Sequence, residues 1–284
     1  MNSKKATLLC IFSAFAIFGN GCALPYVKIM FKADSVEGKI VLAREPYKKA
    51  AALYIVKDKE LCQIPNTEMS GKIESLHWSP EGDRIAFWGY NGNEPEERAK
   101  TQGIYVINEN GNNLKLSQKG ILYPFNFSLD GKQIIYRDYS LKRKKEEFYI
   151  FTLDGSGLRR LTDEEVNNQN QTSRWPSHLE VRFSPDGKKK LWYKISSEQA
   201  PPNELYMTDL GTGEITLIAK GSYQVDIKNA VWSSDSKRIM YLRESIFDNQ
   251  QIKVYDLEAK ETIILMKFGG RYIAGFDWWT PSVK

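Results

Sequence analysis

"VRFSPDGKKKLWYK", residues 181–194, reads as a strand, a tight turn and a second strand. Pro185 presets the backbone for an early turn position, Asp186 tolerates the later one while bonding locally, and Gly187 takes the positive φ that closes a short hairpin. Ser184 is placed to cap the loop. Val181 and Phe183 alternate with polar neighbours before the turn, and Leu191, Trp192 and Tyr193 bring β-favouring bulk after it.

Near copies recur at residues 76–88 ("LHWSPEGDRIAFW"), 125–137 ("FNFSLDGKQIIYR") and 230–242 ("AVWSSDSKRIMYL"). The aromatic before each serine falls at Trp78, Phe127, Phe183 and Trp232, in steps of about 50 residues, and a long fixed period means a repeat architecture. Each copy is followed by a second hairpin: "IYVINENGNNLKLS" from Ile104, "FYIFTLDGSGLRRLT" from Phe148, "LYMTDLGTGEITLI" from Leu205 and "IKVYDLEAKETIIL" from Ile252. Gly111, Gly155, Gly157, Gly211 and Gly213 stand in three of these turns. Four antiparallel strands per repeat is the unit of a β-propeller blade. A β-sandwich also has short strands and polar turns, but it does not require the same turn sequence at the same offset. The expected fold is therefore all-β, a β-propeller over residues 35–284.

Residues 35–44 ("SVEGKIVLAR") and 52–64 ("ALYIVKDKELCQI") match the pattern weakly and supply three further strands. At the other end Trp279, Thr280 and Pro281 align with Trp78, Ser79 and Pro80. A lone terminal strand has unpaired edges and must dock, so the C-terminal strand is expected to complete the first blade and close a ring of five. Six blades is the alternative, if residues 26–33 form an inner strand of their own.

The N-terminus has another character. "MNSKK" is basic, residues 6–18 ("ATLLCIFSAFAIF") are uncharged and too short to span a bilayer comfortably, and "GNGCA" follows. This is the pattern of an export signal over residues 1–21, followed by a linker over residues 22–34. It resembles a bacterial lipoprotein signal, which implies lipidation of Cys22 and a periplasmic protein tethered to the membrane. Gly19 and Asn20 depart from that pattern, and conventional cleavage after Gly21 or Ala23 is the alternative. Of the other cysteines, Cys10 lies in the leader and Cys62 in an apolar strand pattern where burial is expected.

The formal net charge of the full chain is +5, too small to argue for nucleic acid. The basic run at residues 141–147 ("LKRKKEE") sits between two strands of one blade and ends in acid, as a solvated loop does. With Cys22 anchored, the same loop would come near anionic lipid.

A search for catalytic constellations returns little. His77 precedes Trp78 in an expected inner strand, and His178 follows a polar loop; the two have no metal-ligand spacing. There is no G-x-S-x-G elbow, phosphate loop or dinucleotide fingerprint. Glu81, Asp130, Asp186 and Asp235 recur in the repeated turns, spread around a ring where they do not converge on one ion. The expectation is a protein without catalytic residues, metal or cofactor. Shape remains. The connections between hairpins and between blades are long and dissimilar, at residues 89–103, 138–147, 163–177 and 196–203, and an antiparallel blade places all of them on one face. Loops on a rigid scaffold are where binding usually sits, and this face is expected to hold Tyr90, Tyr139, Trp175, His178 and Tyr223.

The pattern S-P-D-G-K-x-x-I-A-F followed by I-Y-V-x-N-x-D-G-x-x-x-x-L-T resembles the TolB-type β-propeller repeat family over residues 35–284. The match is strongest at "WSPEGDRIAFW", "FSPDGKKKLWY" and "LDGSGLRRLT". The resemblance implies a propeller that binds protein partners in the cell envelope, here as a monomer with its anchor directly on the ring and no α/β domain before the blades. Prolyl oligopeptidase-like peptidases and oligogalacturonate lyases carry similar blades. The first add a hydrolase domain and the second a histidine-rich manganese site, neither of which this sequence supplies. A glycan-binding or glycan-degrading propeller, with Trp175, Tyr90 and His178 near the channel mouth, is the alternative function.

Overall fold

The structure, a computed structural model, describes residues 27–29, 36–45, 49–57, 60–120, 122, 124–140, 145–169, 182–194, 204–247, 249–269 and 273–281. From the N-terminus, β1 (Val27–Ile29) is followed by β2 (Lys39–Arg44), β3 (Ala52–Lys57) and β4 (Glu60–Gln63). The next four are β5 (Lys72–Trp78), β6 (Arg84–Tyr90), β7 (Gly103–Asn108) and β8 (Lys115–Lys119), with α1 (Pro95–Thr101) between β6 and β7. Then come β9 (Phe125–Phe127), β10 (Gln133–Ser140), β11 (Lys145–Thr152) and β12 (Arg159–Arg160), followed by α2 (Asp163–Gln169). The chain continues through β13 (Arg182–Phe183), β14 (Lys189–Lys194), β15 (Glu204–Asp209), β16 (Ile215–Ala219), β17 (Val225–Trp232), β18 (Arg238–Ser245), β19 (Asn249–Asp256), β20 (Glu261–Gly269) and β21 (Ile273–Trp279).

These strands form five antiparallel sheets, the blades of a β-propeller. Blade 1 runs β21-β2-β3-β4 from its inner to its outer strand, blade 2 β5 to β8, blade 3 β9 to β12, blade 4 β13 to β16, and blade 5 β17 to β20. The composite first blade is as the sequence predicts, with Lys39 to Arg44 paired against Trp279 to Ile273. The six-blade alternative is not realised. Val27, Lys28 and Ile29 pair with Phe268, Lys267 and Met266, so β1 is a fifth, outermost strand of blade 5 and lies within the stretch read as a linker.

The recurring turn has a common mechanism. Ser79, Ser128, Ser184 and Ser233 are buried. The N–H of each donates across the hairpin to the carbonyl five residues on, at 2.8–2.9 Å. Each hydroxyl accepts the N–H of that same residue (2.9–3.1 Å) and donates to an aspartate: Asp83 (2.8 Å), Asp130 (2.7 Å), Asp186 (2.6 Å) or Asp235 (2.5 Å). The motif thus satisfies the backbone of a turn that no strand partner reaches. Gly82, Gly131 and Gly187 take φ of +66° to +69°, and Ser236, at the glycine position in blade 5, takes +60°. Its hydroxyl explains the departure, because it accepts the N–H of Asp186 in blade 4 at 3.0 Å.

The blades bury apolar side chains against their neighbours. Val41, Leu53, Ile73 and Phe87 belong to a cluster between blades 1 and 2, and Trp88, Phe125 and Phe151 to one between blades 2 and 3. Leu205, Trp232 and Tyr241 fill the gap between blades 4 and 5, while Leu42, Met240, Phe268 and Trp278 fill that between blades 5 and 1. Blade 4 departs at its inner strand. Phe183 is 38% exposed, whereas its counterparts Trp78, Phe127 and Trp232 are buried.

Ring closure has its own bonds. The Trp78 N–H of β5 donates to the Asp277 carboxylate of β21 (2.7 Å), and the Trp279 indole donates to the Pro80 carbonyl (2.8 Å). The buried Gln250 amide donates to the Ile273 carbonyl (3.0 Å) and accepts its N–H (2.6 Å), pinning the start of β21 to blade 5. Glycine is required where the ends meet: at Gly38, φ is +105° and a Cβ would lie 2.1 Å from the Trp279 carbonyl oxygen.

Candidate functional site

The topology sorts the connections onto two faces. The turns between the first and second strands of a blade, and between the third and fourth, lie on one face and are short. On the other lie the links between second and third strands and those between blades, including α1 and α2. The long-connection face is thus where the sequence predicts binding.

Of the predicted residues, the described ones, Tyr90, Tyr139 and Tyr223, belong to different parts of the ring. Tyr90 ends β6 in blade 2 and is half-buried. Arg98 of α1 lies over its ring at 5.2 Å, Trp88 meets it edge-on at 5.7 Å, and a Cβ at Gly71 would collide with it. It packs the β6–β7 connection down. Tyr139 occupies β10 in blade 3, opposite Glu146. Tyr223, between β16 and β17, is 77% exposed. Trp175, His178 and Cys22 lie outside the described residues. His77 is on inner strand β5, edge-on to Phe125 at 5.1 Å, and Cys62 is half-buried on outer strand β4.

The order of this face is built by side chains that reach between connections. Thr101 at the end of α1 accepts the Asn91 N–H and donates from the same hydroxyl, which lies 2.9 Å from both the Asn91 and Glu97 carbonyls. Asn91 in turn accepts the Ser70 N–H, and Ser70 accepts the Gly92 N–H, so the β4–β5 and β6–β7 connections are one unit. The Tyr105 phenol donates to the Thr101 carbonyl at 2.6 Å.

A feature that the repeat search passed over is a Glu-x-Tyr pair on the third strands of blades 3 and 4. Tyr149 donates to Glu147 (3.0 Å) and Tyr206 to Glu204 (2.8 Å). Each tyrosine stacks on an aromatic of the second strand, Tyr149 on Tyr136 (5.2 Å) and Tyr206 on Trp192 (4.8 Å). In blade 2 Tyr105 stacks on Phe87 at 5.4 Å. Blade 5 carries Tyr241 opposite Lys253 at this position. The signal was visible as "EFY" and "ELY", but its pairing is set by register across the hairpin. Burial first, then the neighbouring Tyr149 and Asp138, push the Tyr136 phenol up to about 12. The bond to Glu204 raises Tyr206. Tyr206 is thus a neutral donor at neutral pH, and Arg160 lies 3.7 Å from the buried Glu147. The arrangement fixes the long-connection ends of the strands; it does not assemble an acid, a base and a nucleophile at one point. Among the described residues no three His, Cys, Asp or Glu side chains gather as a metal site, and no helix is long and apolar enough to cross a membrane.

The sequence reading also passed over Ile246 and Phe247. They occupy the β18–β19 connection and are 49% and 64% exposed.

Comparison with family models and with curated proteins finds no match. Solved structures that resemble the chain include TolB from Acinetobacter baumannii, 20% identical with a TM-score of 0.43, covering 80% of this chain and 52% of that one. The chain therefore spans about half the length of that TolB. A putative TolB from Agrobacterium tumefaciens is 16% identical with a TM-score of 0.36, covering 87% and 95% of the two chains. An oligogalacturonate lyase in complex with manganese is 8% identical with a TM-score of 0.34, covering 86% and 74%.

Proposed function

We propose that this chain is a non-catalytic, protein-binding propeller of the bacterial cell envelope, exported by its N-terminal segment and tethered to the membrane through Cys22. The long-connection face of blades 2 and 3 is the contact surface, and recognition is by rigid shape without covalent chemistry. The observation that carries this reading is the segregation of the loops: the short turns spend their polar groups on one another, whereas the variable connections are gathered on one face of a closed ring. The paired Glu-x-Tyr groups support the non-catalytic part, because their polar atoms are already matched.

The test is photo-crosslinking of the full chain in its native cells. A crosslinking residue is placed singly at the exposed Lys100, Lys119 or Glu146 on the long-connection face, and at Leu129, Leu158 or Leu210 on the short-turn face. A discrete protein adduct from the first set and not the second is the expected result. Equal adducts from both sets, or none from the first, overturns the assignment. Cys22→Ser tests the tether separately by release of the chain from membranes.

A further inference from the structure

Tyr223, Ile246 and Phe247 are exposed, and they belong to two connections that touch. The Ile246 N–H donates to the Gln224 carbonyl at 3.0 Å, and Ser222 and Val225 bridge one another, so the three side chains stand on hydrogen-bonded backbone. Other exposed large apolar side chains are arranged differently. Leu129, Leu158 and Leu210 occur singly at short-turn tips of separate hairpins, and Ile215 and Leu217 lie along the outer strand β16.

The register of blade 5 shows what lies beside this group. Val27, Phe268, Gln250, Glu244 and Asp226 pair in sequence across all five strands, forming one row. Strands lie about 4.8 Å apart, so the row is about 19 Å wide. Ile246 and Phe247 lie just beyond it on the long-connection side, and Tyr223 lies beyond Asp226 on the same side. β1 is antiparallel to β20, so the chain before Val27 leaves the row toward that side as well. Residues 22–26 reach at most about 17 Å. A lipid on Cys22 would therefore be held within that distance of the start of β1, at the end of blade 5 that carries the exposed aromatics.

One row further from this edge, Arg243 and Lys267 flank Gln251, with Lys28 in register beside Lys267. An apolar and aromatic tip, with Asp226 and the Lys228-paired Glu244 next behind it and the cations Arg243 and Lys267 about 10 Å from Ile246, matches the depth of a bilayer interface, where aromatics sit at headgroup depth and cations meet phosphates. We propose that the long-connection end of blade 5 is a bilayer-contact site, with Tyr223, Ile246 and Phe247 entering the interfacial layer of the membrane that holds the N-terminus. The inference rests on the tether proposed above. It separates the duties of the face: blade 5 meets lipid, and blades 2 and 3, on the other side of the ring, stay free for a protein. Tyr223 is then a lipid contact and not part of the partner surface.

The test uses the full chain reconstituted into phosphatidylethanolamine and phosphatidylglycerol vesicles that carry a photoactivatable diazirine on an acyl chain. Vesicles are floated, illuminated, and adducts mapped by mass spectrometry. Adducts at Tyr223 and at Ile246 or Phe247, with none at Leu129, Leu158 or Leu210, are expected. A triple Tyr223→Ser, Ile246→Ser, Phe247→Ser variant should float equally and lose the blade 5 adducts. Adducts confined to residues 1–26 leave the tether standing and overturn the contact site. A full chain that does not float overturns both.

Discussion

Asp277→Ala isolates the bond that closes the ring. In the folded protein its carboxylate accepts the Trp78 N–H at 2.7 Å across 199 residues of sequence, joining the inner strands of blades 1 and 2. Trp78 is only 3% exposed, so the truncation strips a buried donor on the inner edge of β5 of its carboxylate acceptor. A buried donor stranded this way costs about 1–3 kcal/mol, and the charged acceptor argues for the upper half of that range. Asp277 is itself half-exposed, so water entering the gap brings the expected loss to about 2 kcal/mol. In a chain of this size that lowers Tm by about 4–8 °C. Asp277→Asn keeps an oxygen acceptor in place and should cost less than half as much. Thermal unfolding of the two variants beside the parent measures the difference. Amide exchange should show faster opening around Trp78 with blade 3 unchanged. An alanine variant that melts within about 1 °C of the parent would refute the claim that this bond holds the closure.

Three further outcomes follow from the same geometry. Ser236→Ala should destabilise by about 1 kcal/mol through loss of the Asp186 contact, while Ser236→Gly, which loses that contact but relieves the +60° φ, should stay nearer the parent in a denaturant titration. The Ser128 hydroxyl, helped by the Lys132 N–H against some burial, holds Asp130 below the usual carboxylate range. That stabilisation is present above the unfolded value near 3.9 and is lost as pH falls through the lower folded value, so Ser128→Ala should be less stable at neutral pH and lose less on acidification. Tyr136, raised to about 12, favours the folded state fully below pH 10 and loses that contribution between about 10 and 12. Tyr136→Phe should flatten the alkaline limb of a Tm-versus-pH curve, and an unchanged limb would count against the assignment.

The repeated turn was legible because its information is local. Serine, proline, aspartate and glycine at fixed offsets specify a hairpin whatever surrounds it, and a period near 50 residues with four strands per period leaves few architectures. The closure by the C-terminal strand was legible too, since Trp279-Thr280-Pro281 repeats the motif that follows the inner strand of the other blades. What the candidate face would present was not. Tyr90 looked like a free aromatic in the sequence, but Arg98, further along the same connection, and Gly71, from the β4–β5 connection, decide that it packs inward.

The sequence alone therefore determined the blade, the ring and the face that carries variable loops, because each follows from short-range turn chemistry and from counting strands. Tertiary structure alone decided that Asp277 meets Trp78, that Ser236 serves the neighbouring blade, and that β1 starts at the same end of blade 5 as Tyr223, Ile246 and Phe247. The physical reason is register. Which residues share a row across a sheet, and which edge a stray strand finds, depends on pairing between segments far apart in the chain, and a one-residue slip would turn every side chain of the strand to the opposite face.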